Sequence, residues 1–290
     1  MNKQLKYITT MKKSALIILY ACAMLMVFPL SAQKKKKEKK VDPEHENHFA
    51  ELNPVETDDY TIEFNDVHCQ VDFAIAKMKI TNKTSDYLII DMSKIEFVFD
   101  WGTVKCKSSK EVIIDPNDTK SKTAKVDGDT RFHVDKFTLK ISGVKRVPTN
   151  GTAVVLDDFR LPPAVNEVGS GNVSVNMSKM KKVTDVTDTR FEMKNKGSNY
   201  VICNPSKIST RFPSGNVFAN AYSKSRPKLV KPGKSDKFNV LCEEQIPEGD
   251  MQFIELNVVW NDAFIETKPV DAASCEKTFE KDDAETVGKN

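Results

Sequence analysis

A repeated segment constrains the fold of this chain more than any other feature. Residues 82–95 align without a gap with residues 195–208, and eight of the fourteen positions are identical. The same offset continues upstream, where alternating apolar positions in 60–64 fall on those in 173–177. Downstream the offset grows slightly, as loop insertions would produce. Two copies of about a hundred residues each predict duplicated domains rather than a solenoid, whose repeats are shorter.

Each copy has the pattern of short β-strands. Apolar residues alternate with polar ones at 95–101 and again at 254–260, a period that is typical of strands. Turn residues punctuate these runs, and Asn150-Gly151 predicts a hairpin between Val147 and Val154. Beyond the segment 1–32 there is no sustained helical period. The sequence therefore predicts an all-β chain of two tandem immunoglobulin-like β-sandwich domains related by an internal repeat.

A resemblance to known proteins rests on the same segments. In both copies an apolar strand ends in Asn-Lys-x-Ser and is followed, one residue on, by Tyr-apolar-Ile, at 82–89 and 195–202. The chain resembles the tandem immunoglobulin-like modules of secreted bacterial proteins, and Ser-Ala-Gln at 31–33 is similar to the signal ends of exported Bacteroidota proteins. The resemblance covers residues 60–268. It implies a fold and no particular function.

These patterns divide the chain into six predicted parts. The parts are a signal peptide at 1–32, a Lys-rich flexible linker at 33–59, a first sandwich at 60–160, a hinge at 161–171, a second sandwich at 172–268 and a polar C-terminal tail at 269–290, which we expect to be frayed.

The N-terminal segment 1–32 predicts export. Four lysines without an acidic residue precede an apolar stretch at 15–30, and small residues follow Pro29. We favour cleavage after Ala32, with an uncleaved signal-anchor helix as the alternative. The expected location is the periplasm or the cell surface.

Charge argues against a nucleic-acid partner. Without residues 1–32 the chain has 40 basic and 41 acidic residues, and six of the basic ones form a single run. The domains are therefore mildly acidic, whereas nucleic-acid binders carry a basic patch on the folded domain. The run itself predicts either a solvated tether or peripheral contact with anionic lipid or an acidic polymer. Its lysines are Lys34, Lys35, Lys36, Lys37, Lys39 and Lys40.

The cysteines and histidines predict neither a metal site nor a catalytic site. Five cysteines follow the signal, and their spacing does not match a metal site. Cys203 and Cys242 lie on predicted strands of the second copy that could face one another, so they are a possible disulfide. The first copy has no equivalent pair. His45 and His48 fall in the predicted linker, and His68 and His133 stand alone on predicted strands, so we expect no metal site. No catalytic motif is present, and we expect no catalytic residue and no cofactor.

Three hypotheses on function remain open. The first is a non-catalytic envelope protein that binds another protein or assists assembly. The second is a carbohydrate-binding or adhesive module, which would need exposed aromatic residues, although Trp101 and Trp260 fit core positions better. The third is an enzyme with an unrecognised site, because fold alone never excludes catalysis.

Overall fold

The structure, a computed structural model, describes residues 42–50, 53–222, 224–243 and 249–289. The predicted signal peptide and the lysine run lie outside the described residues. The chain is predominantly β, with several antiparallel sheets, which confirms the all-β prediction. No helix in the described ranges is long and apolar enough to cross a membrane.

The first eleven strands follow one another over the first half of the described chain. They are β1 (Asn47–His48), β2 (Val55–Glu56), β3 (Tyr60–Cys69), β4 (Phe73–Asn82), β5 (Tyr87–Asp91), β6 (Ile95–Phe99), β7 (Gly102–Lys105), β8 (Glu111–Ile114), β9 (Thr119–Asp127), β10 (Lys136–Ile141) and β11 (Val144–Val147). A single 3-10 turn, Met92–Lys94, joins β5 to β6.

The remaining strands repeat this series. They are β12 (Thr152–Ala153), β13 (Phe159–Leu161), β14 (Glu167–Ser170), β15 (Val173–Lys182), β16 (Val186–Asn195), β17 (Tyr200–Cys203), β18 (Ser209–Arg211), β19 (Val217–Ala219), β20 (Lys228–Val230), β21 (Ser235–Glu243), β22 (Leu256–Val259), β23 (Phe264–Thr267), β24 (Val270–Asp271) and β25 (Cys275–Glu280). A 3-10 turn, Pro205–Lys207, follows β17, and helix α1 (Asp283–Lys289) ends the described chain.

The strands form two sets of three sheets with the same order. In the first half, a long sheet has the order β1-β3-β4-β9 with β2 also on β3, a junction sheet has the order β24-β11-β5-β8, and a third sheet has the order β25-β10-β6-β7. In the second half, the corresponding orders are β14-β15-β16-β21, β12-β23-β17-β20 and β13-β22-β18-β19. The sequence repeat is thus matched by a repeat of strand order.

The two halves exchange strands. β12 and β13 follow β11 of the first half in sequence, but they pair with β23 and β22 of the second. β24 and β25 follow β23 of the second half, but they pair with β11 and β10 of the first. Each half therefore contains two strands that follow the other half in sequence.

This exchange differs from three expectations. Asn150-Gly151 forms no hairpin, because the chain crosses there to the other half; a Cβ on Gly151 would lie 2.4 Å from the Glu266 carbonyl oxygen, so close approach requires glycine. Residues 275–289 form a strand and a helix in place of a frayed tail. The described end of the predicted flexible linker contributes β1 and β2 to the long sheet.

Each half has its own core, and the exchanged strands contribute to both. Phe279 of β25 is fully buried in the first core, with its ring 5.2 Å from those of Phe64 and Phe137. Phe159 of β13 is buried in the second, 5.1 Å from the ring of Phe191. Removing either strand would therefore open the core that it completes.

A buried asparagine explains the start of the repeated segment. The Asn82 side-chain amide donates to the carbonyl oxygens of Asp86 and Asp115, at 2.7 and 3.0 Å. Asn195 donates to those of Asn199 and Val230, at 2.8 and 3.2 Å. Each asparagine thus satisfies one carbonyl group in the turn that follows it and one at the end of a neighbouring strand, which an apolar side chain could not do.

Candidate functional site

The repeated Tyr-apolar-Ile segments meet where the two halves join. Tyr87 and Ile89 of β5 and Tyr200 and Ile202 of β17 are buried together with Val147 in a third apolar cluster, separate from the two cores. The residues between them face their own cores, so both sides of each strand are buried. This double burial gives a physical reason for the tyrosine and isoleucine identities in the two copies.

A cleft of about 650 Å³ lies beside this junction. Both halves contribute to its apolar lining, which comprises Tyr87, Pro116, Ile202, Pro227 and Ile265. Lys231 of the second half approaches Glu111 of the first to 2.5 Å nearby. The cleft is therefore built by the packing of one half against the other.

The charged residues of the cleft are segregated by half. Asp115 and Asp118, from the segment between β8 and β9, give the first half's wall an acidic character. Lys207 and Arg226 give the second half's wall a basic character. All four side chains belong to exposed residues, so a ligand in the cleft would meet negative charge on one side and positive charge on the other.

The outer strand of the first long sheet is a poor docking edge. β9 ends the strand order of that sheet in the described residues, and it carries Lys120, Lys122 and Lys125. Charged side chains, lysine above all, protect sheet edges against pairing with another chain. The cleft is therefore the better candidate for recognition.

Neither tryptophan forms an exposed stacking surface. Trp260 is buried, and its indole N–H donates to the Asp157 carbonyl oxygen at 2.8 Å. Trp101 is half-buried; one contact is the Phe99 ring at 4.9 Å, and the Arg131 guanidinium lies 4.2 Å from its ring. Among the large apolar residues described as exposed, Phe253 is the one aromatic.

The four histidines of the chain form two close pairs. His48 on β1 lies opposite His68 on β3, with ring centroids 5.4 Å apart. His45 Nδ1 is 2.9 Å from His133 Nε2, within hydrogen-bond distance. The sequence placed two of these residues in a linker and two alone on strands, so it missed both pairs. The pairing of β1 with β3 brings His48 beside His68 and could have revealed that pair. However, a strand of two residues is too short to be recognised in the sequence.

A glutamate joins the His48–His68 pair. Glu46 Oε2 lies 3.2 Å from His48 Nε2 and 4.0 Å from His68 Nε2. The other carboxylate oxygen, Oε1, accepts a 2.7 Å hydrogen bond from Gln70. On the far side of the His68 ring, Nδ1 lies 3.0 Å from Asp66 Oδ1. Helix α1 covers this region, since the His48 backbone N–H donates to Thr286 Oγ1 at 3.0 Å.

Burial favours the uncharged forms of two histidines and one cysteine in this region. It lowers the pKa of His48, with a further contribution from the positive charge of Lys289. Burial also lowers the pKa of His133, and the neighbouring His45 acts in the same direction. Burial raises the pKa of the nearby Cys69 thiol to about 11, so that this thiol is protonated at neutral pH.

The two cysteines of the predicted disulfide lie on different sheets. Cys203 is on β17 and Cys242 on β21, both are buried, and the structure has no bond between them. Burial raises the pKa of the Cys203 thiol above its ordinary value. The disulfide stays a prediction, as does the binding of lipid or polymer by the lysine run.

Comparisons with known proteins do not show a family for this chain. No family matches it, and no curated protein matches it. The crystal structure of AerE from Microcystis aeruginosa aligns with 76% of this chain and 98% of that chain, at 9% identity and a TM-score of 0.11. At that TM-score the likeness supports no conclusion about fold or function.

Proposed function

We propose that this chain is an exported, non-catalytic binding protein of the cell envelope, with two tandem immunoglobulin-like β-sandwich domains. The sandwich interpretation is supported by the strand order. β5 continues through its 3-10 turn into β6, so the junction and third sheets follow one another along the chain, and apolar residues of both share one core with those of the long sheet. Export is supported by the charge and apolar pattern of residues 1–32.

The cleft between the halves is the observation that carries the binding role. It combines an apolar floor with separated acidic and basic walls, which suits a protein segment bearing both kinds of charge. The protected edge of β9 makes strand addition at that edge the weaker alternative.

A carbohydrate-binding role is the second candidate from the sequence, and the residues that line the cleft include no exposed aromatic side chain. Glycan recognition commonly uses exposed aromatic faces, whereas Tyr87 in the cleft is only 2% exposed. The acidic and basic walls instead resemble the charge complementarity of protein interfaces.

Charge reversal tests the proposed role. The variant Lys207→Glu/Arg226→Glu changes the basic wall at two exposed positions. We expect it to lose an envelope protein that co-purifies stoichiometrically with the wild-type protein, as measured by quantitative mass spectrometry after gentle solubilisation.

The matched control reverses two lysines of the β9 edge, Lys122→Glu/Lys125→Glu. We expect this variant to retain the same partner. Loss in the control with retention in the cleft variant would move the interface to the sheet edge, and a wild-type protein without any stoichiometric partner would contradict the binding role.

A further inference from the structure

We propose that Glu46, His48 and His68 form a binding site for a divalent transition-metal ion of the zinc class. One ligand atom from each residue is available, and the three atoms lie within 4.8 Å of one another. Two imidazoles and one carboxylate are a known donor set for zinc, which takes three protein ligands and keeps a fourth position open in its non-structural sites.

The strongest support for a cation site comes from the ring of His48. Its side chain is 6% exposed, and Nε2 makes no hydrogen bond within the described residues. The nearest acceptor, Glu46 Oε2, is at 3.2 Å and would form an ion pair only with a protonated ring. A buried ring nitrogen thus lies beside a carboxylate oxygen without forming a hydrogen bond to it or to any other described residue. A cation bound at Nε2 would satisfy this buried nitrogen.

Surrounding residues orient the other two ligands. Asp66 beside His68 Nδ1 favours the tautomer with its proton on Nδ1, which leaves the Nε2 lone pair directed at the cluster. Gln70 holds Glu46 Oε1 and leaves Oε2 toward the histidines. A carboxylate behind a ligating histidine is the common support of zinc sites in proteins.

The three ligand atoms lie within 4.8 Å of one another and must approach more closely to bind one zinc ion. Tetrahedral zinc with bonds of about 2.0–2.1 Å places its ligand atoms about 3.3 Å apart. Glu46 Oε2 already lies 3.2 Å from one histidine nitrogen and 4.0 Å from the other. His68 and Glu46 are less buried than His48, so their side chains have room to rotate. Two nitrogen ligands argue against Mg²⁺ and Ca²⁺, which bind oxygen.

The site would connect the start of the described chain to the end of β3. Glu46 and His48 belong to the arm that precedes the long strands, and His68 lies at the end of β3. Helix α1 contacts the same arm through Thr286. Metal binding should therefore stabilise β1 against β3, in addition to filling the site.

Zinc titration of the full chain, without a histidine tag, tests the proposal. We expect saturable binding of one Zn²⁺ per chain in calorimetry, a rise in Tm with free Zn²⁺, and no competition from millimolar Mg²⁺. Co²⁺ should give visible absorption bands of a site with nitrogen ligands.

Three variants locate the ion. His68→Gln should weaken Zn²⁺ binding by at least about 100-fold, and Asp66→Asn by about tenfold, the lower end of the range for a residue that supports a ligand. His133→Gln is the matched control from the neighbouring pair and should leave the affinity unchanged. His68 is partly exposed, so its variant should fold, which circular dichroism verifies.

The opposite results are equally clear. Absence of saturable binding below about 100-fold excess Zn²⁺, or unchanged affinity in His68→Gln, would overturn the proposal. Equal loss in His133→Gln would overturn it as well, since the ion would then belong to the His45–His133 pair.

Discussion

The two halves share their sheets but differ at the end of the first long strand. In the first half β3 ends in His68 and Cys69, which β1 covers. At the aligned positions of the second copy β15 ends in Lys181 and Lys182, and Lys182 donates to the Ile254 carbonyl oxygen. β14 pairs with β15 at the positions where β2 pairs with β3, so β1 has no counterpart in the second half among the described strands. The strand order that the two halves share therefore accounts for the framework, and the N-terminal arm accounts for the histidine cluster.

The strand exchange gives the largest test of this comparison. Phe279→Ala and Phe159→Ala each remove a fully buried ring that one half contributes to the core of the other. We expect each to lower the free energy of unfolding by about 3–5 kcal/mol, because each leaves a cavity in a core. Urea denaturation measures both, and Val287→Ala at an exposed position of α1 is the control, with a change within about 0.5 kcal/mol. A large loss of unfolding free energy for only one of the two variants would show that the exchanged strands do not stabilise the two halves equally.

The paired asparagines test whether the repeated turns contribute equally. Asn82→Ala and Asn195→Ala each leave two backbone carbonyls without their side-chain donor. We expect a loss of about 1–3 kcal/mol of unfolding free energy in each case. The control is Asn53→Ala at an exposed position. If the losses of unfolding free energy for Asn82→Ala and Asn195→Ala differ by more than about 2 kcal/mol, the two asparagines do not have equivalent roles.

A pH series separates the halves, because all four histidines lie in the first. Burial lowers the pKa of His48 and of His133 in the folded protein. The unfolded chain therefore binds more protons just below pH 6.5, and stability falls as the pH drops from about 6.5 toward the lowered pKa values. Amide hydrogen exchange, corrected for its intrinsic pH dependence, should show this loss of protection in β3 and β4 and not in β15 and β16.

The matching variant is His48→Gln/His133→Gln, which removes both groups with lowered pKa values. It should flatten the pH dependence in β3 and β4. An equal response of the two long sheets in the wild-type protein would mean that other groups cause the effect.

The sequence predicted the framework better than the site. The repeat at 82–95 and 195–208 is recognisable because each strand is buried on two sides, so few substitutions fit. Period-two alternation likewise predicted the β class. The crossing at Gly151 was missed, since a glycine after asparagine is typical of a hairpin and also of close backbone approach. The histidine cluster was missed because its members are joined by a two-residue strand that has no periodicity.

The smallest expected effect concerns the contact between the halves. Lys231 and Glu111 form an ion pair across the junction, with both side chains about one-third exposed. A double-mutant cycle with Lys231→Ala and Glu111→Ala should give a coupling energy of about 0.2–1 kcal/mol, because water screens partly exposed pairs. Thermal and urea unfolding of the four proteins in the cycle measure it. A larger coupling energy would make this ion pair a principal contribution to holding the two halves together. The expected value leaves that role to the apolar cluster around Tyr87 and Tyr200, whose tyrosines are identical in the two copies of the repeat.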